Sequence, residues 1–216
     1  MNIDSFTLFQ QDLSVIANAQ NERLFLESSN HGSVAMQSIE RLRSREYRSR
    51  GVTYLFQRPM DVLQRDLDLD KRSNHVTVWD GAKLLGAMRL TAAPFEVAHE
   101  TEMPWLNARY ENHMEFGRLV MASVTDYRLT AEKLMAAACL QSIKKGKTGI
   151  IAMCRRAQAR LFERYGLRPI NNTPIVLPHR EHGAYWLMVA SWPSMFEPIS
   201  RVAQAVVRRS DNLIES

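Results

Sequence analysis

Two opposite charges stand in an apolar run, Glu115 and Arg118 within residues 114–123 (MEFGRLVMAS). A buried strand rarely carries a carboxylate and a guanidinium unless they are paired or used. In use, the carboxylate can accept a proton and the guanidinium can grip an anion with its planar fork. Otherwise the two form a structural ion pair. His113, just before the run, is an alternative base or a surface residue. His179 and His182 stand three apart across a Pro-rich turn. No third ligand accompanies them, so no metal is assigned.

The neighbouring elements must position these residues. Residues 5–25 read as one or two short helices, and residues 29–33 as a break. Residues 34–50 carry Val34, Met36, Ile39 and Leu42 among many charges, the pattern of a helix with one buried face, ended by Gly51. Residues 52–56 are strand or irregular, and Pro59 interrupts them. Residues 61–70 form an acidic loop or short helix leading to a hairpin, 75–79 and 84–91, turned by Asp80-Gly81. Residues 92–113, with Pro94 and Pro104, are a long loop with short helical pieces. Then come a strand at 115–122, a helix at 129–143 with Thr130 as its cap, and a buried, parallel-type strand at 149–154. A helix at 157–165 closed by Gly166, strands at 170–177 and 184–190, and a helix at 193–209 complete the chain. This is a mixed α/β (α+β) single domain without the regular βαβ repeat of a doubly wound sheet. Its expected divisions are an N-terminal helical extension at 1–33, the main domain at 34–192, and a C-terminal helix and tail at 193–216.

Composition bounds the partners. Hydrophobic residues are 45% and charged residues 24% of the 216, an ordinary globular balance. No run approaches the ~20 apolar residues of a membrane span. The first residues lack the basic region of a signal peptide, and Cys139 and Cys154 lie in apolar contexts, so a reducing cytoplasm is the expected compartment. The net charge of +5 comes largely from two clusters, Arg41–Arg50 and Lys144–Arg164. No nucleic-acid motif accompanies them, and nucleic acid is not expected. An acidic protein partner or peripheral membrane contact fits the charge, as do plain solvated helix faces.

Three features carry a resemblance: Asp70-Lys-Arg-Ser73-Asn-His75 before the hairpin, Arg89 in GAMRLT, and Glu115-Phe-Gly-Arg118. Together with ARLFERYGL at 159–167 and the order of elements, they resemble the autoinducer (acyl-homoserine-lactone) synthases and long-chain N-acyl amino acid synthases of the GNAT acyltransferase superfamily. The resemblance spans roughly residues 40–170. It implies a GNAT-like domain with a central mixed, mostly antiparallel sheet flanked by helices. The implied activity is transfer of a fatty acyl group from an acyl thioester to the amine of an amino acid or related small amine. It also implies no tightly bound cofactor. The donor would be acyl carrier protein (ACP) or acyl-CoA. The turn at 123–129 (SVTDYRL) lacks the glycines of a coenzyme A loop, which favours the carrier protein. The autoinducer branch has a second aspartate three residues before Asp70, where Leu67 stands, which favours the amino acid branch.

The resemblance assigns roles. Glu115 would take the amine's proton. Arg89 and Arg118 would bind the acceptor carboxylate or fix Glu115 and Asp70. A bulge at Gly117 would bring Arg118 to the face of Glu115. Backbone amides of Val120, Met121 and Ala122 would receive the oxyanion. Arg128, Leu129 and Thr130, at the start of the following helix, would receive a donor phosphate. An N-terminal arginine (Arg43, Arg45 or Arg50) and an aromatic (Tyr47 or Tyr54) would complete the site. Basic clusters would dock the acidic carrier protein. The plainer alternatives make Arg89 an exposed edge residue, Asp70 a loop cap or solvated charge, and His75 merely the first strand residue. Leu134, Met135, Cys139 and Leu140 belong to a core or, less simply, an acyl tunnel. The competing functions are a CoA-dependent acetyltransferase, a lactone-forming autoinducer synthase consuming S-adenosylmethionine, and a non-catalytic basic adaptor.

Overall fold

The computed structural model describes residues 3–19, 24–29, 34–51, 60–123, 127–177 and 183–214. The expectations for residues 52–56, for Tyr54 and for His179 and His182 lie outside them. A bent sheet of eight strands runs through the molecule in the order β1-β2-β3-β4-β5-β8-β6, with β7 also pairing β8. The strands are β1 (Leu24–Ser29), β2 (Asn74–Asp80), β3 (Lys83–Thr91), β4 (His113–Met121), β5 (Gly149–Arg155), β6 (Arg168–Pro169), β7 (Ile175–Val176) and β8 (Ala184–Ser191). Every pairing is antiparallel except β4 with β5. The mixed, mostly antiparallel sheet expected from the sequence is present.

Helices cover both faces. On one lie α1 (Ile3–Ala17), α6 (Tyr127–Lys144), α7 (Arg156–Arg164) and α8 (Trp192–Ile214), whose apolar residues share a core with Met88, Leu90, Met114, Phe116 and Met121 of the sheet. On the other lie α2 (Val34–Ser49), α3 (Met60–Arg72) and the short α4 (Glu96–Glu100) and α5 (Trp105–Arg109). There Ala35, Met36, Ile39 and Leu42 of α2 cover Ala87, Val120 and Ala122 at helical spacing. Phe95, Val97 and Leu106 around α4 and α5 cover Ile151 and Leu187. The hairpin turn is as tight as Asp80-Gly81 suggested: Asp80 pairs Lys83 and Gly81 takes φ +55°.

Four local expectations change. The N-terminal segment holds a strand as well as a helix, because β1 adds to the edge of β2 along Leu24–Ser29. Its helix α1 buries Phe9, Leu13 and Ile16 in the main core. The acidic stretch before the hairpin is a full helix, α3. Thr130 does not cap α6: the helix begins at Tyr127 and Thr130 is buried inside it. The strand expected at 170–177 reduces to β7 alone, with the short β6 just before it, since Asn171-Asn172-Thr173-Pro174 is turn chemistry. Among the described residues no helix is long and apolar enough to cross a membrane.

Candidate active site

Strand β4 carries one extra residue against β3. Arg89 pairs Gly117 but Ala87 pairs Val120, so two steps on β3 match three on β4. The bulged residue is Arg118, with φ +53°. The sequence suggested a bulge at Gly117; the positive φ falls one residue later, on an arginine, where it costs ~1–2 kcal/mol. The gain is direction. Without the bulge Arg118 would lie on the face opposite Glu115, and with it both serve the same face. The bulge also marks where β4 leaves β5. Their parallel pairing ends at Phe116 opposite Ala152. Beyond it β4 follows β3 to Met121 while β5 follows β8 to Arg155. A slot opens between them.

Three guanidinium groups and three carboxylates meet beside this divergence. Arg43 of α2 donates to Asp70 Oδ2 at 2.9 Å. Arg89, only 1% exposed, donates to Asp70 at 3.1 Å, to Asp66 at 2.8 Å and to Glu96. Arg118 donates to Asp66 at 2.9 Å and to Glu96 at 2.7 Å. Asp66 and Asp70, one turn apart on α3, face the same way. Burial alone would raise Asp70, but the hydrogen bond from His75 and the charges of Arg43 and Arg89 hold it well below the ordinary carboxylate range. Burial opposes ionisation of Asp66 and Glu96 too, and Arg118 and Arg89 overcome it. Burial keeps His75 neutral to lower pH than usual, and its Nε2 donates to Asp70 at 3.1 Å. Ser73 donates to the Leu69 carbonyl at 2.6 Å and bonds Thr91 at 2.8 Å, tying the end of α3 to β3.

With three charges of each sign matched, Glu115 is the additional carboxyl. It is 4% exposed, and its two oxygens accept the backbone N–H groups of Glu96 (2.7 Å) and Val97 (3.0 Å). Burial, then the Glu96 carboxylate, push it up to about 7 against the pull of Arg89 and the two amides. It therefore exchanges a proton in the neutral range. Arg118 does not touch it: the guanidinium binds Glu96 and Asp66 instead.

The slot has a volume of about 390 Å³ and passes from Glu96, Glu115 and Arg118 to an apolar side made by Phe116, Leu161 and Phe162. Tyr127 and Tyr47 also line it. Of the three amides considered for an oxyanion, that of Ala122 is committed to the Leu85 carbonyl at 2.8 Å. Antiparallel alternation then turns Val120 toward β3 and Met121 away from it, toward the slot side. The Met121 carbonyl, pointing the same way, accepts Arg50 at 2.9 Å. Met121 is thus the one of the three whose amide faces away from β3, although on this part of β4 it is Leu119, not Met121, that lines the slot. Arg128 and Leu129 lie in the first turn of α6, next to Tyr127 at the slot; Arg128 is bound to Glu132 at 3.0 Å. Residues 124–126 lie outside the described residues.

Asp70, Arg89, Glu115 and Arg118 thus come together in one buried cluster. Arg89 is no exposed edge residue, and Asp70 is no solvated charge. Among the N-terminal arginines Arg43 joins the cluster, Arg50 reaches the slot, and Arg45 pairs with Glu46 at the surface. His113 sits at the opposite end of β4 from the slot. Sequence reading missed Glu96 and Asp66. The signal for Asp66 was its four-residue spacing from Asp70 on one helix. Leu67, to which the second acid was compared, is 45% exposed. The carboxylate that Arg89 and Arg118 use comes from the preceding residue, so Leu67 carries no weight against the autoinducer branch. Leu134 and Cys139 belong to the main core, and Leu140 packs against it. Among the described residues no cluster could hold a metal ion.

No protein-family model and no curated protein matches this chain. Solved structures do. The N-acyl amino acid synthase FeeM from uncultured soil microbes matches 84% of this chain and 98% of its own at 12% identity, with a TM-score of 0.63. The CoA-dependent acyl-homoserine lactone synthase BjaI, solved with MTA, matches 82% and 88% at 16% identity and 0.55. An N-acetyltransferase from Staphylococcus aureus Mu50 matches 77% and 98% at 11% identity and 0.53. The fold expected from the resemblance is therefore the observed one.

Proposed function

We propose that this protein is an N-acyltransferase that moves a fatty acyl group from a thioester, carried by an acyl carrier protein, to the amine of an amino acid or related small amine. One observation carries the reading. A buried carboxyl poised near neutrality, Glu115, lines a slot opened between two diverging parallel strands. The thioester would lie in the slot with its carbonyl oxygen toward the amides of β4 that face away from β3 and its chain among Phe116, Leu161 and Phe162. An ammonium acceptor must lose one proton before it can attack, and Glu115 takes it. Nitrogen then bonds the carbonyl carbon, the carbon–sulfur bond breaks, and a second proton from nitrogen leaves on the departing thiol. Glu115 returns its proton to solvent. Asp70 fixes Arg89, and Arg89 and Arg118 in turn hold Glu96 and Asp66 in place beside the slot.

The carrier-protein donor is supported by the glycine-free turn before α6 and by exposed arginines near the slot, among them Arg156 and Arg160. Lys144, Lys145 and Lys147 lie toward the other end of β5, roughly 20 Å away at ~3.3 Å per residue, so that cluster is two surfaces and the arginine part is the docking candidate. The proteins of similar fold include an N-acyl amino acid synthase, which agrees with an amino acid acceptor. The test offers long-chain acyl-ACP and acyl-CoA in parallel with an amino acid mixture and identifies products by mass spectrometry. An N-acyl amino acid is expected, with ACP the better donor. Glu115→Gln, with its melting transition retained, should lose about 10²–10⁴ in rate. Undiminished transfer by Glu115→Gln, or no transfer to any amine from either donor, would sink the proposal.

A further inference from the structure

A second cavity, of about 250 Å³, lies between α3 and α4, and Glu96 lines both it and the slot. Its apolar wall is Leu69, Pro94 and Phe95. Its cationic groups are Arg65 and Arg72, with the His99 ring beside Arg65, and the carboxylates of Asp66, Asp68, Glu96 and Glu100 also line it. The cavity thus joins anion-binding and cation-binding groups across an apolar surface.

The arginines here differ from those of the buried cluster. Arg43, Arg89 and Arg118 all bind carboxylates. Arg89 and Arg118 are thereby enclosed among carboxylates, and the Nε that each leaves without a partner is buried. Arg72 instead donates to two backbone carbonyls, Ala92 (2.9 Å) and Pro94. Arg65 donates to the His99 ring, whose Nε2 accepts. Among the described residues neither Arg65 nor Arg72 is in an ion pair with a carboxylate, and a guanidinium has five N–H donors to distribute. Arg72 also lies near enough to Glu115 to feel its charge.

We infer that this cavity is the acceptor pocket and that it takes one zwitterionic α-amino acid with an apolar side chain. The carboxylate sits on Arg65 and Arg72, the side chain lies on Leu69 and Phe95, and the ammonium points inward past Glu96, the residue shared with the slot, toward Glu115 on the slot side. This rests on the N-acyltransferase reading for the chemistry but makes a separate claim about binding. The volume falls below the ~300–1,000 Å³ of sites for drug-sized ligands, which fits a single amino acid.

The test measures binding without any acyl donor. Calorimetry of L-leucine and L-phenylalanine on the full chain is compared with their carboxamides, which keep the amine and side chain but lose the anion. The free amino acids should bind, and the carboxamides about tenfold or more weaker. Arg65→Ala and Arg72→Ala should erase that preference, and Arg72→Lys should restore part of it. Arg65 serves as the second variant because it holds no backbone carbonyl of the described residues, so its loss spares the loop that Arg72 supports. Equal binding of acid and amide, or an intact preference in both alanine variants, would overturn the pocket assignment even if acyl transfer occurs. Binding that follows the expected pattern with no transfer to any amine would sustain the pocket and overturn the transferase reading.

Discussion

Replacing Glu96 by glutamine should move the titration of Glu115 downward, and the sign follows from the contacts. Burial raises the Glu115 carboxyl first, and the Glu96 charge raises it next. Glutamine removes that charge while keeping the backbone N–H that Glu96 donates to Glu115. It also leaves Arg89 and Arg118 less neutralised, which favours ionisation of Glu115 further. A like charge within ~8 Å, at an effective dielectric of ~20, is worth ~2 kcal/mol, or ~1.5 pH units. In the wild type the acid limb of kcat/KM should bend near pH 7, so that activity at pH 5 is about 100-fold below its plateau. In Glu96→Gln the bend should appear at least about one pH unit lower. Loss of the two ion pairs also costs an estimated ~3–5 kcal/mol of stability, so the profile is best recorded at low temperature on protein shown to be folded. A carboxyl titration of Glu115 by carbon-13 NMR reads the same shift without assuming any activity. A Glu115 that titrates in the ordinary glutamate range in the wild type, or whose titration is unmoved in Glu96→Gln, would refute this account of the site.

Other consequences can be checked by unfolding experiments. The folded Glu115 carboxyl is raised from 4.5 to about 7, so its contribution is full below the unfolded value and is lost as pH rises through about 7. Chemical denaturation should show ~3 kcal/mol less stability from this group at pH 8 than at pH 4, a loss absent in Glu115→Gln. Asp70 has the opposite sign: its folded value is depressed below 3.8, so its contribution is present above that pH and falls as acid approaches the folded value. Asp70→Asn should cost ~3–5 kcal/mol at pH 7, by urea denaturation, and should flatten the loss of stability below pH 4. Gly149→Ala should destabilise by ~2 kcal/mol or more, read as a lowered melting temperature, because the new Cβ would sit 2.2 Å from the Ala190 carbonyl oxygen and 2.7 Å from His113 Nε2. Glu132→Gln would leave Arg128, Arg164 and Arg209 around a neutral side chain; since all three are partly exposed, the expected cost is only ~1–2 kcal/mol and should shrink in high salt.

The sequence and the structure agree where local chemistry decides and part where long-range packing does. The hairpin was legible because Asp80-Gly81 fixes its own turn, and α2 because its apolar positions repeat at helical spacing. Strand β1 was not, since LFLESS carries no alternation that separates it from the helix before it; the edge of β2 makes it a strand. The charged core behaves likewise. Glu115, Arg118, Arg89 and Asp70 stood out because each interrupts or borders an apolar run. Glu96 falls in a stretch that reads as a loop between two prolines, where a glutamate attracts no notice, yet it opens α4, binds both Arg89 and Arg118, and its amide caps Glu115. Asp66 was hidden because residues 61–70 read equally as a loop or a short helix, and in a loop a three-residue offset and a four-residue offset mean equally little. On a helix the difference is decisive. Four residues return Asp66 to the face of Asp70, toward Arg89 and Arg118, while Leu67 turns outward. A comparison by sequence position alone therefore finds an acid missing where the folded chain supplies one from the adjacent residue. Consequently the choice among acceptors cannot rest on Leu67; it falls to binding at the cavity beside Asp66, where among the described residues Arg65 and Arg72 are in no ion pair with a carboxylate.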